Sequence, residues 1–240
     1  MIMHKQKGAT LIVVLVMLVA LTVIGTLAIR QSVVSLNIAT NGQAQQLLIQ
    51  NSDAATFNVE ESSNLVRSLA KDGMFGFIKG PTNKGKELVF CYRGSRSQFF
   101  SLSQASIMQD LGGQLVNNSN GTAGYCNVGN ANFFTSARRA VITQVAVRFT
   151  EGGDVSPFQF AIRGTDPEKA KIEETERVVV QATSLVPALS TATDAQINSC
   201  LSENLNYSTG ATRNVARCLN ALNVPFTTHV TEYTLGQGFL

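Results

Sequence analysis

Residues 5–30 read KQKGATLIVVLVMLVALTVIGTLAIR, and this stretch decides the fold. Between Gly8 and Arg30 lie 21 residues without a charge. As a helix at ~1.5 Å per residue they reach about 32 Å, enough to cross a hydrocarbon core of ~30 Å. His4, Lys5 and Lys7 precede the run with no acid among them. The positive-inside rule therefore keeps the N-terminus in the cytoplasm and sends the rest of the chain across the membrane. A cleaved secretory signal is the competing reading, with Thr26-Leu27-Ala28 as its small-x-small site. Its apolar core should span only ~7–15 residues, whereas here Ile29 and Arg30 continue the helical pattern without a break.

Gly8 closes a very short basic leader directly before the apolar run, and KGATLIVVLVMLVALTVIGTLAIR resembles the N-terminus of a type IV prepilin. The resemblance covers roughly residues 5–60. It implies a leader of residues 1–8, cleavage after Gly8 by prepilin peptidase, and a mature chain beginning at an N-methylated Ala9. Most pilins carry glutamate at the fifth mature position, where this chain has Val13. That carboxylate sits in an apolar bundle near the amino terminus of a neighbour, the kind of partner a buried charge needs. Its absence is a feature of the PilX-like minor pilins and of the tip pseudopilin of type II secretion. Arg30-Gln31-Ser32, Ile38-Ala39-Thr40-Asn41 and Ala54-Ala55 are more similar to the former.

The resemblance implies a minor pilin that helps prime pilus assembly and stays in the tip complex. It would meet other minor pilins and the major pilin through its N-terminal helix, and a tip adhesin through its globular domain. It would serve twitching motility, adhesion or DNA uptake in natural transformation. Its place would be a single pass through the inner membrane with the globular domain periplasmic, then the pilus tip on the cell surface. Two readings stand beside it: a type II secretion tip pseudopilin, and a periplasmic module on an uncleaved anchor in which Val13 merely continues the span.

The helical pattern does not stop at the membrane, and no proline appears before Pro81. Ala44, Leu47, Leu48, Ala55, Val59, Leu65, Val66 and Leu69 fall on one stripe at ~100° per residue, with Gln46, Asp53 and Glu60 opposite. A single helix is expected from about Thr10 to Lys71, ended by Asp72-Gly73. Gly25 and Gly42 are its weak points, since glycine costs a helix about 1 kcal/mol relative to alanine. The membrane half is residues 9–29, and the amphipathic half, 30–72, is expected to pack one face on a globular domain of 73–240. A plain anchor needs only a span and a Gly-, Ser- or Pro-rich linker. A helix with its own buried stripe instead fixes the domain to the stalk.

Beyond the helix, strands are expected at 87–92 and 98–102, a short helix at 103–111, and a long exposed loop at 115–132 around NNSNGTAG. Val141, Val145, Val147 and Phe149 alternate with Gln144 and Arg148, giving a strand at 140–150. Residues 157–163 and 176–185 would complete an antiparallel meander through turns at 151–154 and 164–167. Short helices are expected at 194–203 and 212–222, each holding one cysteine, and 226–235 adds an edge strand. The class is α+β, a long helix on an antiparallel sheet, which is also the pilin-like αβ-roll that the resemblance implies.

With about 30 of the 240 residues in leader and span, one domain of ordinary size remains. Lys and Arg number 19 against 16 Asp and Glu, and removing Lys5 and Lys7 with the leader leaves 17 against 16. No global basic field points to nucleic acid. Cys91, Cys126, Cys200 and Cys218 all follow the span, so an oxidising periplasm favours two disulfides. Three connectivities are open, and the sequence-local pairs Cys91 with Cys126 and Cys200 with Cys218 are expected. Zinc competes weakly, because no C-x-x-C occurs and His229 is the only histidine outside the leader.

Residues 80–87, GPTNKGKE, match the phosphate-loop pattern G-x-x-x-x-G-K. Glu87 stands where Ser or Thr should hold magnesium, and a strand comes next instead of a helix, so the stretch reads as a lysine-rich turn. Lys79, Lys84, Lys86, Arg93 and Arg96, against Glu87 alone, are interleaved with Phe90 and Tyr92 and followed by Phe99-Phe100. Basic side chains with stacking aromatics hold single strands or phosphates, so DNA contact is to be sought there. The plainer reading is solvated lysines over core aromatics. Asn117 and Asn120 sit in glycosylation sequons that a bacterial-type leader makes chance matches. Asp166, Glu168, Glu173, Glu174 and Glu176 read as a solvated strand approach, and His229 as a surface histidine. No enzyme, metal or cofactor is expected.

Overall fold

The computed structural model describes residues 9–79, 82–83, 85–94, 98–111, 114–117, 121–150, 176–207 and 213–235. The chain divides into two units, Met1–Gln45 and Gln46–Leu240. The first consists of the opening part of helix α1 (Ala9–Glu60), exposed at every position from 10 to 43. Thr22, Thr26 and Thr40 turn their hydroxyls back to the carbonyls of Val19, Val23 and Leu36 at 2.8–2.9 Å. Each hydroxyl is thereby satisfied inside the helix, as an apolar setting requires. The helix passes Gly25 and Gly42 unbroken.

In the second unit α1 buries Leu48, Ser52, Ala55, Thr56 and Val59, positions i, i+4, i+7, i+8 and i+11 of one face. The apolar stripe read from the sequence holds at Leu48, Ala55 and Val59. It fails at Leu47, Leu65, Val66 and Leu69, which are exposed. A single helix to Lys71 does not form either. Glu61 is extended at φ −61° and ψ 130°, and a second helix, α2 (Ser62–Leu69), starts after it. Ser62-Ser63 are weak helix formers, and Asn64 Nδ2 donates to the Asn58 carbonyl at 2.9 Å, pinning the bend. Helix α3 (Met74–Lys79) then buries Met74, Phe75 and Ile78. It approaches the end of α2 through Gly73 and Gly76, where a Cβ would run into the carbonyls of Arg67 and Ala70 respectively.

Strands β1 (Glu87–Tyr92), β2 (Ala105–Leu111), β3 (Gln114–Asn117), β4 (Ile142–Thr150), β5 (Glu176–Leu185) and β6 (Phe226–Leu235) form one sheet in the order β3-β2-β1-β4-β5-β6. Every neighbouring pair is antiparallel. One face carries Leu88, Phe90, Ile107, Val145, Val147, Phe149, Val178 and Val180 against Ala55, Val59, Phe75 and Ile78 of the helices. The opposite face is covered as well. Ile142 and Leu185 pack there on Ile197 and Leu201 of α4 (Asp194–Ser202) and on Val215 and Leu219 of α5 (Val215–Ala221). Helix α4 opens with a complete capping box, Thr193 and Gln196 each bonding the other's backbone N–H. Disulfides join Cys91 to Cys126 and Cys200 to Cys218.

This two-sided burial explains where sequence reading went wrong. Residues 98–102 are not a strand, and 103–111 is not a helix: β2 takes Ala105–Leu111. Ala105 and Ile107 enter the helix-side core while Met108 packs on the far side, so the polar-apolar alternation of a half-exposed strand is missing. The expected loop at 115–132 overlaps β3, and Gly124, Tyr125, Cys126 and Val128 within it are buried. The expected meander is also revised. The two neighbours of β4 are β1 and β5, and those of β5 are β4 and β6, so no strand lies between β4 and β5. Residues 151–175, including the expected strand at 157–163 and its turns, lie outside the described residues.

A hydroxyl chain ties the layers together: Ser52 Oγ of α1 donates to Ser184 Oγ of β5 at 2.8 Å, and Ser184 meets Thr143 Oγ1 of β4 at 2.7 Å. Gly76→Ala forces a methyl into the Ala70 carbonyl at the α2–α3 turn. It is expected to lower stability by about 1–3 kcal/mol, read as a fall in the melting temperature of the full chain in detergent.

Candidate functional site

The feature that sets this chain apart is the surface of α1. From Leu11 to Ile38 its large apolar side chains are all more than half exposed, Val13 at 55% among them. Gly8 and the side chain of Ala9 lie outside the described residues. The helix is long and apolar enough to cross a membrane. The segment just after the span is equally telling, and sequence reading passed over it. Residues 31–52 contain no Asp, Glu, Lys or Arg, although as helix they extend about 33 Å past Arg30. Val33, Val34, Leu36 and Ile38 are 52–68% exposed and do not share one side of the helix. The segment is uncharged but mixed, since Gln31, Ser32, Ser35, Asn37, Thr40, Asn41, Gln43, Gln45 and Gln46 stand among its apolar side chains, so the helix is apolar all round only before Arg30.

The basic and aromatic surface read from the sequence lies only partly among the described residues. Phe90 is buried at 2%, and Phe99 and Phe100 set their rings edge-on to it at 5.3 and 5.1 Å. Tyr92 accepts a hydrogen bond from Asn58 Nδ2 at 3.2 Å on the helix side of the sheet. Phe90 is thereby closed to stacking on bases, while Tyr92, Phe99 and Phe100 are half-buried. Arg93 lays its guanidinium 3.8 Å over the Phe133 ring. Lys86 Nζ is 3.4 Å from Asn83 Oδ1. Lys79 is exposed at the end of α3, and Lys84 and Arg96 lie outside the described residues.

Glu87, the residue that spoils the phosphate-loop pattern, opens β1 and is 1% exposed. Its Oε1 accepts from the backbone and side-chain N–H of Asn206 at 2.8 and 2.6 Å, and Oε2 from Tyr207 N at 3.1 Å. Arg148 sits directly opposite in the β1–β4 register and stacks on Tyr207 at 4.1 Å. Burial pushes the Glu87 carboxyl above its ordinary range, opposed by the Asn206 and Tyr207 hydrogen bonds and by Arg148. Two glutamines continue the pattern. Gln144 accepts from Cys126 N and donates to the Leu201 carbonyl, and Gln181 donates to the Asn206 carbonyl. Residues that alternation assigns to a wet face are thus buried anchors for the second layer, and Glu87 serves as an anchor with no access for a substrate.

His229 is exposed, as read from the sequence, yet its Nδ1 lies 3.1 Å from Asp53 Oδ1 of α1. Further along the same strand and helix, Tyr233 donates to Glu60 Oε1 at 2.9 Å. Burial and that bond hold the Tyr233 hydroxyl well above the usual phenol range. Strand β6 and the last turns of α1 are therefore clasped by side chains of both elements. Among the described residues no group of three His, Cys, Asp or Glu is placed to hold a metal ion. The acidic positions 166, 168, 173 and 174 lie outside them. No family model, curated protein or solved structure matches the chain.

A raised carboxyl pKa means that the folded chain holds the Glu87 proton more tightly than the unfolded chain. Native stability from this group therefore grows as pH falls through its folded pKa towards the ordinary value near 4.5, and is lost as pH rises above it. In urea unfolding of wild type and Glu87→Gln, the difference is expected to tilt towards wild type as pH falls from neutral towards 4.5. A difference that stays flat across that range shows that burial does not govern the carboxyl.

Proposed function

We propose that this chain is a minor subunit of a type IV pilus, PilX-like in its N-terminal region. In this reading it helps prime assembly and belongs to the complex at the pilus tip. The observation that carries the reading is the single helix that runs on without a break from the apolar stretch into the turns that bury Leu48, Ala55 and Val59. A module on a plain anchor needs only a Gly-, Ser- or Pro-rich linker after Arg30, whereas here α1 continues to Glu60 with its own buried face. Membrane lipid would surround the segment before Arg30, and neighbouring subunits would surround both segments once the chain leaves the bilayer.

Val13 gives the tip position its physical basis. A subunit with glutamate there offers a carboxylate to the amino terminus of a neighbour, and a charge buried in an apolar bundle requires such a partner. With valine at that place the chain has nothing to offer in such a pairing, so its helix can be capped from below without sitting on another helix in mid-filament. The leader would be removed after Gly8 by prepilin peptidase, leaving methylated Ala9. The chain would begin as a single-pass inner-membrane protein with its globular domain in the periplasm. Its partners would be other minor pilins, the major pilin and a tip adhesin, in adhesion, twitching motility or DNA uptake. Two disulfides suit that compartment.

The tip pseudopilin of a type II secretion system shares the lack of the glutamate and is distinguished by the partner genes transcribed with it. N-terminal mass analysis of the protein from membranes of cells that hold prepilin peptidase tests the pilin class itself. The expected mature chain begins at methylated Ala9, and Gly8→Ala abolishes it. An intact start at Met1 or Met3 in the wild type sinks the reading in favour of an anchored module.

A further inference from the structure

On the side of the sheet away from α1, three side-chain polar atoms are buried without a hydrogen-bond partner among the described residues: the Tyr125 hydroxyl, Arg148 Nε and Asn206 Oδ1. They come from three separate segments, the loop after β3, strand β4 and the chain following α4. All three residues nevertheless meet at Glu87. Asn206 donates to its Oε1, Arg148 stands opposite it in the β1–β4 register, and its charge acts on the Tyr125 hydroxyl. An unpaired buried polar atom carries its full desolvation cost, so three of them around one carboxylate need a partner.

The polar groups nearby are already engaged. Gln181 Nε2 and Asn214 Nδ2 both donate to the Asn206 carbonyl, at 3.0 and 3.1 Å. Ser106, which pairs with Val89, donates through Oγ to the Gly121 carbonyl and accepts from Gly124 N. Glu87 itself takes both N–H groups of Asn206 on Oε1 and Tyr207 N on Oε2.

The chemistry of the three atoms selects what completes them. The 2.6 Å bond from Asn206 Nδ2 to Glu87 fixes which way round the side-chain amide sits and leaves Oδ1 as an acceptor. Arg148 Nε can only donate. Burial, with the Glu87 charge, pushes the Tyr125 hydroxyl above the usual phenol range, so it keeps its proton and can donate or accept. A cation would face the Arg148 N–H, and an anion would face Asn206 Oδ1 and the Glu87 carboxylate. A neutral molecule that both donates and accepts suits all three atoms, and an enclosed water needs two to four such partners. With Tyr125 and Asn206 at 5% and 2% exposure, the place is closed to anything larger.

We propose that Tyr125 Oη, Arg148 Nε and Asn206 Oδ1 hold one enclosed water molecule beside Glu87, which joins strand β4, the Tyr125 loop and the segment after α4. The water is part of the fold whether or not the chain joins a pilus. Tyr125 then has two roles: its ring packs on Val89, Met108 and Ala146, and its hydroxyl completes the joint.

The test is a crystal structure of the full chain in detergent at a resolution that shows ordered water, with thermal melts of wild type and Tyr125→Phe. Phenylalanine keeps the ring and removes only the hydroxyl. The expected density is a single water about 3 Å from all three atoms. The Tm of Tyr125→Phe is expected to fall by about 2–4 °C, the shift that losing roughly one net hydrogen bond gives a chain of this size. A hydroxyl with no partner gives the opposite sign, because deleting it removes a buried group that nothing satisfies. A Tm that holds or rises therefore overturns the proposal. So does a structure in which the three side chains bond directly to one another or to Glu87, in which an ion takes the place of the water, or in which no density lies between them.

Discussion

Strand β4 has both faces buried, and most of the domain depends on that constraint. A strand covered on one side repeats apolar and polar residues with period two and leaves its polar set to water. In β4, Val145 and Val147 face the helices, while Gln144, at 0% exposure, faces a second layer. Buried polar groups need partners, and here the partners are the backbone of the cover: Cys126 N and Leu201 O for Gln144, Asn206 and Tyr207 N–H for Glu87. Loop and helices from distant parts of the chain are thereby held to the sheet by polar anchors, with Cys91–Cys126 tying β1 to the loop and Cys200–Cys218 joining α4 to α5.

That constraint also sets what could be read in advance. The elements whose pattern is local came through with their bounds: β1 at Glu87–Tyr92, β5 at Glu176–Leu185 and β6 at Phe226–Leu235. The α+β class holds for the same reason, since a long apolar helix and several alternating runs do not depend on tertiary detail. Strand β2 was lost because Ser106 and Met108, the residues that should have been solvated, are buried. Small and polar residues in such a strand imitate a helix. In the helix, the buried face includes Ser52 and Thr56. A search for apolar periodicity skips both, though Ser52 is the hydroxyl that reaches Ser184.

Legibility of the candidate site divides in the same way. The apolar run before Arg30 announces itself because its length alone carries the meaning. Composition does not say which way side chains turn, and in the basic and aromatic cluster β1 turns Phe90 inwards. Glu87 was noticed for the pattern it broke, but its role depends on Asn206, 119 residues away, and no local reading links the two.

Two exposed apolar surfaces, the helix before Arg30 and the outer side of α2, have opposite origins. The helix before Arg30 is apolar by sequence alone, and nothing in its own unit covers it. The ridge on α2 is apolar by architecture: the same eight residues rolled half a turn would hide it, and Ser68, Asn64 and the glycines at 73 and 76 prevent the roll. A fold that stabilised only itself would turn Leu65 and Leu69 inwards, because burying such side chains is worth about 1.5–3 kcal/mol each. Their exposure follows from the Ser68, Asn64 and glycine contacts that fix the roll of the helix, so the turn into α3 outweighs the burial that α2 forgoes.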